Sequence, residues 1–297
     1  MLPLWIDQPA KPDNRCNIRI LTGRRNQEQP SLATRHGEWS PAEVQLLDHI
    51  NKSKRRLPEI KMDVSRIYSS LLAESQSIRE GNFTSIRSQD LEILFANYDE
   101  TFFDGLLYET IQRSGAPISF RISKRMTKVG GTTTKYRMAR GPGPRSSYEI
   151  AISSTLLFST FYDIDRPVNV TGVECRDRIE CLQRIFEHEL IHLTEMLIWD
   201  DSSCSRQRFQ SLAFQFFTHT EATHQLITPG ERASEKFGIR TGDKVRFCID
   251  NASYEGFVNR ITKRATVLVE DECSPLYSDG KRYAKYYVPI SQLEPAG

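Results

Sequence analysis

Two histidines and a glutamate within five residues carry the clearest chemistry in this sequence. The segment is His188-Glu189-Leu190-Ile191-His192. In an α-helix, residues four apart lie on one face, with side chains about 6 Å apart. Two neutral imidazoles at that spacing can bind one zinc ion, and the glutamate can take a proton from a water molecule at the metal. The segment therefore predicts a zinc centre with His188 and His192 as ligands and Glu189 as general base.

The alternative interpretation is two ordinary histidines on a core helix. The neighbouring side chains Phe186, Leu190, Ile191 and Leu193 are uncharged, as expected of a helix buried behind a metal. Because both ligand spacing and flanking pattern agree, we prefer the metal site and predict its helix over residues 176–199.

Composition limits the classes of protein that fit. A chain of 297 residues with 38% hydrophobic and 26% charged residues suits one large globular domain and a small one. A net charge of +2 is too small to imply nucleic acid or anionic membrane by itself. Six cysteines without a CxxC pair favour a reducing compartment. With no signal-peptide pattern and no long apolar stretch, we expect a cytoplasmic protein without a membrane partner.

The elements before the metal helix are predicted from periodicity and capping. Residues 1–38 show little periodicity and are expected to be mostly loose. Ser40-Pro41-Ala42-Glu43 predicts a helix start with a capping box, and the helix runs to about Lys52. Apolar spacing then predicts further helices and three strands: helices at 63–80 and 88–113, and strands at 118–123, 125–136 and 148–153.

The region after the metal helix predicts a second, smaller domain. A helix is expected at 205–218 and a linker at 231–236. Four or five short alternating strands in residues 237–297 predict a small closed β-barrel. The fold class is α+β. The predicted domains are an N-terminal extension at 1–87, a metal domain at 88–230 and the barrel at 237–297.

Three features in this order resemble the SprT-like, or Spartan-type, zinc metalloproteases over about residues 88–228. They are a helix with Tyr98-Asp99 and Phe102-Phe103-Asp104-Gly105, a sheet ending Ile150-Ala151-Ile152-Ser153, and the HExxH segment. The helix with Arg208-Phe209-Gln210 follows in the matching place. The resemblance implies a zincin-like fold, with helices packed on a small three-stranded sheet, followed by a C-terminal barrel.

The resemblance also implies zinc as cofactor, with His188 and His192 as ligands and Glu189 as base. Its implied substrates are proteins or peptides, including proteins crosslinked to DNA, so association with DNA is expected. One position departs from the family, which usually presents a third histidine as His-Gly-x-x-Phe. Aligning on Phe209 places Ser205 there, and serine is a very poor zinc ligand.

The sequence leaves several sources for the third ligand open. Cys204 is adjacent to the vacant position, although a small buried residue beside a turn is its alternative interpretation. His219 lies about 21 Å along a helix from Ser205, and His224 lies further on, so either needs a different helix orientation. A water molecule or a substrate group could complete the site instead. Glu195 is predicted to orient His192 from outside the ligand set.

Two functions compete. The first is a zinc endopeptidase, whose extended substrate adds to a sheet edge near Gly130 and Gly131. The second is a catalytically degenerate zincin that binds nucleic acid or protein through the barrel. Four basic barrel residues support it: Arg246, Arg260, Lys263 and Arg264. The presence of Glu189 favours the enzyme, because a purely structural zinc site needs no such carboxylate and usually has four protein ligands.

Overall fold

The computed structural model describes residues 17–21, 39–138 and 146–296. Apart from 17–21, the predicted loose segment 1–38 lies outside these residues. The chain divides into two compact units. The described residues between 17 and 161 and between 166 and 226 belong to the first, and residues 162–165 and 227–296 to the second. None of the described helices has both the length and the apolar character needed to cross a bilayer.

Two helices precede the predicted metal domain. The first, α1 (Pro41–Lys52), begins as predicted: Ser40 Oγ accepts from the Glu43 backbone N–H, and Glu43 Oε2 accepts from the Ser40 N–H. The second, α2 (Leu57–Glu74), begins and ends six residues earlier than predicted. Both bury apolar residues in the core of the first unit. Residues 39–87 therefore contribute to the core of that unit.

The predicted helix at 88–113 is two helices, so that prediction was wrong. They are α3 (Ser88–Phe103) and α4 (Leu106–Ser114). Asp104 and Gly105 between them have φ of 52° and 76°, a left-handed conformation that glycine and aspartate adopt most readily. The Asp99 carboxylate accepts hydrogen bonds of 2.9 Å from two backbone N–H groups at the start of α4. The apolar pattern continues across the break, which is why periodicity missed it.

The sheet of the first unit has four strands rather than three. Their order is β1 (Asn17–Leu21), β3 (Gly131–Met138), β4 (Ser146–Ser153) and β2 (Ile118–Ser123). β3 and β4 are antiparallel, whereas β2 is parallel to β4 and β1 to β3. The additional strand comes from the segment expected to be loose, and it pairs with β3 from Thr134 to Met138.

The helix that carries the HExxH segment lies in the centre of the first unit. After α5 (Ser154–Ser159) and the hairpin β5 (Val168–Val170) and β6 (Val173–Cys175), it runs as α6 from Arg178 to Trp199. Twenty of its 22 residues are buried. The Asp177 carboxylate caps its start by accepting from the Glu180 N–H at 2.9 Å. α7 (Gln207–Phe217) follows and packs against it.

The second unit differs from the predicted linker and barrel. α8 (Pro229–Phe237) replaces the linker, begun by a Thr228–Glu231 capping box. Five antiparallel strands follow in the order β10-β9-β8-β7-β11: β7 (Lys244–Ile249), β8 (Ala252–Ile261), β9 (Ala265–Glu270), β10 (Tyr283–Val288) and β11 (Glu294–Pro295).

This sheet is open, so the predicted closed barrel is wrong. Among the described residues no strand pairing joins the two edges, β10 and β11. β11 has only two residues, and Pro295 has no backbone N–H to donate. β11 therefore offers too few backbone hydrogen bonds to pair with β10 and close the sheet. Buried side chains of the sheet, including Val245 and Val267, form a core with Ala233 of α8.

Candidate metal centre

His188 and His192 converge through one nitrogen each. Their Nε2 atoms are 3.2 Å apart, and the side chains are buried, with 5% and 7% of their surface exposed. Two nitrogens bound tetrahedrally to one zinc ion at about 2.0–2.1 Å lie about 3.3 Å apart. The observed separation therefore suits a shared metal ion without rearrangement of α6.

Cys204 supplies the third donor of this group. Among the described residues, His188, His192 and Cys204 form the one group of three potential metal-binding side chains, and their ligand atoms all lie within 4.8 Å of one another. Tetrahedral zinc with sulfur at about 2.3 Å would place sulfur about 3.6 Å from each nitrogen. A shift of at most about 1 Å in the turn before α7 reaches that value. Ser205, the family's ligand position, is exposed.

Burial sets the protonation of these donors. Together with the smaller effect of the nearby His224, it lowers the pKa of His188 well below the usual value and that of His192 to about 3. Both imidazoles are therefore neutral, the form that binds a metal. Burial also raises the pKa of the Cys204 thiol to about 11. A bound cation would reverse that shift by stabilising the thiolate.

A buried serine orients His192. The Ser202 hydroxyl donates to Glu195 Oε2 at 2.5 Å, and Arg208 Nε donates to Glu195 Oε1 at 2.6 Å. Since the serine has one proton, its oxygen accepts the 2.7 Å hydrogen bond from His192 Nδ1–H. This tautomer leaves the lone pair of His192 on Nε2, toward His188. Glu195 thus acts on His192 through Ser202, which the sequence did not identify.

Glu189 lies beside the group and contacts β3. Thr133 Oγ1 lies 2.8 Å from Glu189 Oε2 and 2.9 Å from the Glu189 carbonyl oxygen. Burial raises the pKa of the Glu189 carboxyl to about 8, against the opposing effect of the Thr133 hydrogen bonds. A cation bound at the histidines would lower this pKa. The carboxyl is thus held in one orientation and has a proton affinity suited to proton transfer near neutral pH.

The two glycines before and at the start of β3 let the backbone approach α6 closely. A Cβ atom on Gly131 would lie 2.7 Å from Glu189 Oε1, and one on Gly130 would lie 2.8 Å from His224 Nδ1. Their proposed role in substrate binding stays a prediction. β1 occupies the outer edge of β3 from Thr134 onward, so the expected substrate edge is limited to the segment Gly131–Thr133.

His219, the other predicted ligand, lies outside the group. Its Nε2 is 2.8 Å from Glu187 Oε2. The Glu187 carboxylate also accepts from Tyr98 Oη at 2.6 Å and pairs with Arg184 Nη2 at 2.8 Å. Glu187 is 0% exposed, so this network satisfies a buried charge. The structure brings together the ligand atoms of His188, His192 and Cys204, whereas His219 belongs to this network.

Two site residues were not predicted from the sequence. Ser202 and Thr133 reach the site from a turn and from a strand, and neither has a spacing relative to α6 that sequence could reveal. From the sequence, His224 is predicted only as a ligand that needs a different helix orientation. Its backbone pairs with Val170 of β5, and its ring centroid lies 4.9 Å from that of His188. Burial lowers its pKa to about 4.

Comparison with known proteins adds no relative. No protein-family model, no curated protein and no solved structure matches this chain. The resemblance to SprT-like metalloproteases therefore depends on the motifs of the chain itself. The chemistry of the site must likewise be argued from its own geometry.

Proposed function

We propose that this protein is a zinc-dependent endopeptidase of the SprT-like type. The observation that carries the proposal is the convergence of two neutral imidazoles and a thiol, with the Glu189 carboxyl beside them. Three protein ligands and an open position are typical of catalytic zinc sites, and nitrogen and sulfur donors suit zinc. A structural zinc site would have no use for a neighbouring base.

The donor set fits zinc, with His188, His192 and Cys204 as its ligands. Bound zinc would polarise a peptide carbonyl and acidify a water molecule. Glu189 would take one proton from the attacking water, whose oxygen bonds to the carbonyl carbon. It would then deliver that proton to the amide nitrogen as the C–N bond breaks, giving a carboxylic acid and an amine. Thr133 would hold the carboxyl in position between the two transfers.

The proposed substrate is an extended segment of protein. Main-chain pairing along Gly131–Thr133 would fix such a segment without demanding a sequence. Association with DNA is part of the proposal through the resemblance alone. Lys244 and Arg246 in the second unit both pair with Glu255, at 2.9 and 2.5 Å. One carboxylate cancels only one of these two charges, so this pairing does not by itself decide against the alternative of a nucleic-acid-binding module.

Metal analysis tests the centre. The purified full chain should contain about one zinc per molecule, because a site with three protein ligands retains zinc through dialysis. Cys204→Ala should lose most of it, whereas His219→Ala, which alters a buried histidine outside the group, should retain it. Wild-type protein without zinc would reject the proposal. Loss in His219→Ala but not in Cys204→Ala would reject the assigned ligand set.

Proteolysis tests the chemistry. The probe is casein, a protein with extended segments, with and without single-stranded DNA. Glu189→Gln should keep its zinc and lower the cleavage rate by about 10²–10⁴, the usual contribution of a general base. An undiminished rate in this variant would remove Glu189 from its role. Casein left intact by the zinc-loaded wild type under both conditions would count against a peptidase.

A further inference from the structure

His224 lies against the candidate metal centre without a partner for one nitrogen. Its ring meets that of His188 at an interplanar angle of 78°, with centroids 4.9 Å apart. The side chain is partly exposed as a whole, but Nε2 is shielded from solvent and makes no hydrogen bond. Leaving a buried polar group unpaired costs about 1–3 kcal/mol, and such groups in folded proteins usually have an explanation.

The arrangement of ligand atoms separates two explanations. His224 could be a fourth ligand, or it could bind a group of the substrate. It does not belong to the described group whose ligand atoms lie within 4.8 Å of one another. Four protein ligands would also close a zinc site, leaving no position for a reacting molecule. Both considerations favour the second explanation.

The side chains of His224 and Glu189 contact two consecutive glycines, Gly130 and Gly131, before and at the start of β3. A Cβ on Gly130 would meet His224 Nδ1 at 2.8 Å, and a Cβ on the next residue, Gly131, would meet Glu189 Oε1 at 2.7 Å. A peptide that pairs along Gly131–Thr133 and continues past Gly130 would therefore meet both side chains. In this position Glu189 would act on the attacking water, and His224 would act on the carbonyl oxygen of the same peptide bond.

We propose that His224 is a second catalytic residue, whose Nε2–H donates a hydrogen bond to the scissile carbonyl oxygen as negative charge develops there. The inference depends on the proposed peptidase function. No proton leaves His224 in this role, because a neutral imidazole stabilises the oxygen by hydrogen bonding alone. The tautomer requires the proton on Nε2. Removing one such donor typically costs a factor of about 10²–10³ in kcat.

A binding experiment tests the role without relying on turnover. The probe is N-phosphoryl-leucinamide, whose tetrahedral anionic phosphoryl group resembles the reacting centre. Binding is followed by the visible absorption of the full chain loaded with Co²⁺ in place of zinc. Four proteins are compared: wild type, His224→Ala, His224→Gln and the control Thr223→Ala. Thr223 is an exposed neighbour whose hydroxyl bonds only to Glu221 among the described residues.

All four should bind one Co²⁺ with the same spectrum before the probe is added. His224→Ala should raise the Kd of the probe about 10²-fold, in line with the loss of one donor to a developing oxyanion. His224→Gln, which keeps an N–H near the position of Nε2, should recover most of the affinity. Thr223→Ala should match the wild type. Urea unfolding of each variant shows whether the fold is intact.

Three results would overturn the proposal. A changed cobalt spectrum or lost metal in His224→Ala would make His224 a ligand. An unchanged Kd in that variant, or no binding of the probe by the wild type, would exclude a donor role. Casein cleavage by the wild type separates the two proposals. Cleavage with equal Kd values rejects the role of His224 alone. Intact casein with a clear Kd difference rejects the peptidase function, and with it catalysis by His224, and leaves only the contact of His224 with the bound anion.

Discussion

Replacing Ser202 by alanine tests the link between the candidate ligand His192 and the rest of the fold. The serine oxygen accepts from His192 Nδ1–H at 2.7 Å, and its proton goes to Glu195 Oε2 at 2.5 Å. The substitution removes both hydrogen bonds and leaves two polar atoms buried. We therefore expect weaker zinc binding and a less stable fold.

The structure allows both magnitudes to be estimated. Loss of a group that orients a metal ligand weakens metal binding about 10–100-fold, which corresponds to about 1.4–2.7 kcal/mol. Each unsatisfied buried polar atom costs about 1–3 kcal/mol of stability. Arg208 still pairs with the other oxygen of Glu195, so Glu195 keeps its counter-charge. With two such unsatisfied atoms, we expect a loss of about 2–6 kcal/mol in the free energy of unfolding of the metal-free protein.

The adjacent serine provides a matched control. Ser203 Oγ contacts Ser205 Oγ at 2.9 Å on the exposed side of the same turn. Ser203→Ala should change zinc affinity and stability by less than about 0.5 kcal/mol, as surface substitutions usually do. Zinc affinity is measured by competition with a chromogenic chelator, and stability by urea unfolding. If Ser202→Ala and Ser203→Ala give equal values in both assays, the orienting role of Ser202 is refuted.

Three further predictions follow from contacts in the same unit. Gly131→Ala should reduce casein cleavage at unchanged zinc content, because the new Cβ would lie 2.7 Å from Glu189 Oε1. Gly230→Ala is the control, because the nearest atom to its new Cβ lies 4.0 Å away. Equal cleavage rates for the two variants would contradict the steric argument. Glu187→Ala should lower the urea-unfolding free energy by about 3–5 kcal/mol, as expected when a buried charge loses its partner, and a loss below 1 kcal/mol would show that Arg184 is solvated. Removing zinc with EDTA should lower Tm, since a ligand at 100 times its Kd stabilises by about 2.7 kcal/mol; an unchanged Tm in calorimetry would count against a bound metal.

Much of the site within α6 could be predicted from the sequence. Inside one helix, the position of a side chain follows from 3.6 residues per turn. His188 and His192 were therefore placed on one face, with Glu189 beside them, before any tertiary contact was known. The start of α1 was predictable for the same reason, because a capping box involves residues only three apart. The antiparallel strands of the second unit also follow from local alternation and turns.

The breaks and additions in the fold were less accessible. The apolar face of 88–113 continues through Asp104 and Gly105, so periodicity indicated one helix although the backbone turns there. Closure of the second sheet depends on how its edge strands meet, which alternation within each strand does not report. Local patterns indicate which side of an element is buried, but not the direction that the chain takes when the element ends.

That distinction explains why the sequence left the third candidate ligand open. The sequence determined that Cys204 and His219 were both chemically able to bind zinc, and it left the choice between them open. Asp200 ends α6 with φ of 60°, and its carboxylate bonds to Lys135 Nζ of β3 at 2.5 Å. The path of the following turn is therefore set by a strand 65 residues away. This tertiary contact, together with the packing of α7 on α6, brings Cys204 to His188, and no local pattern encodes it.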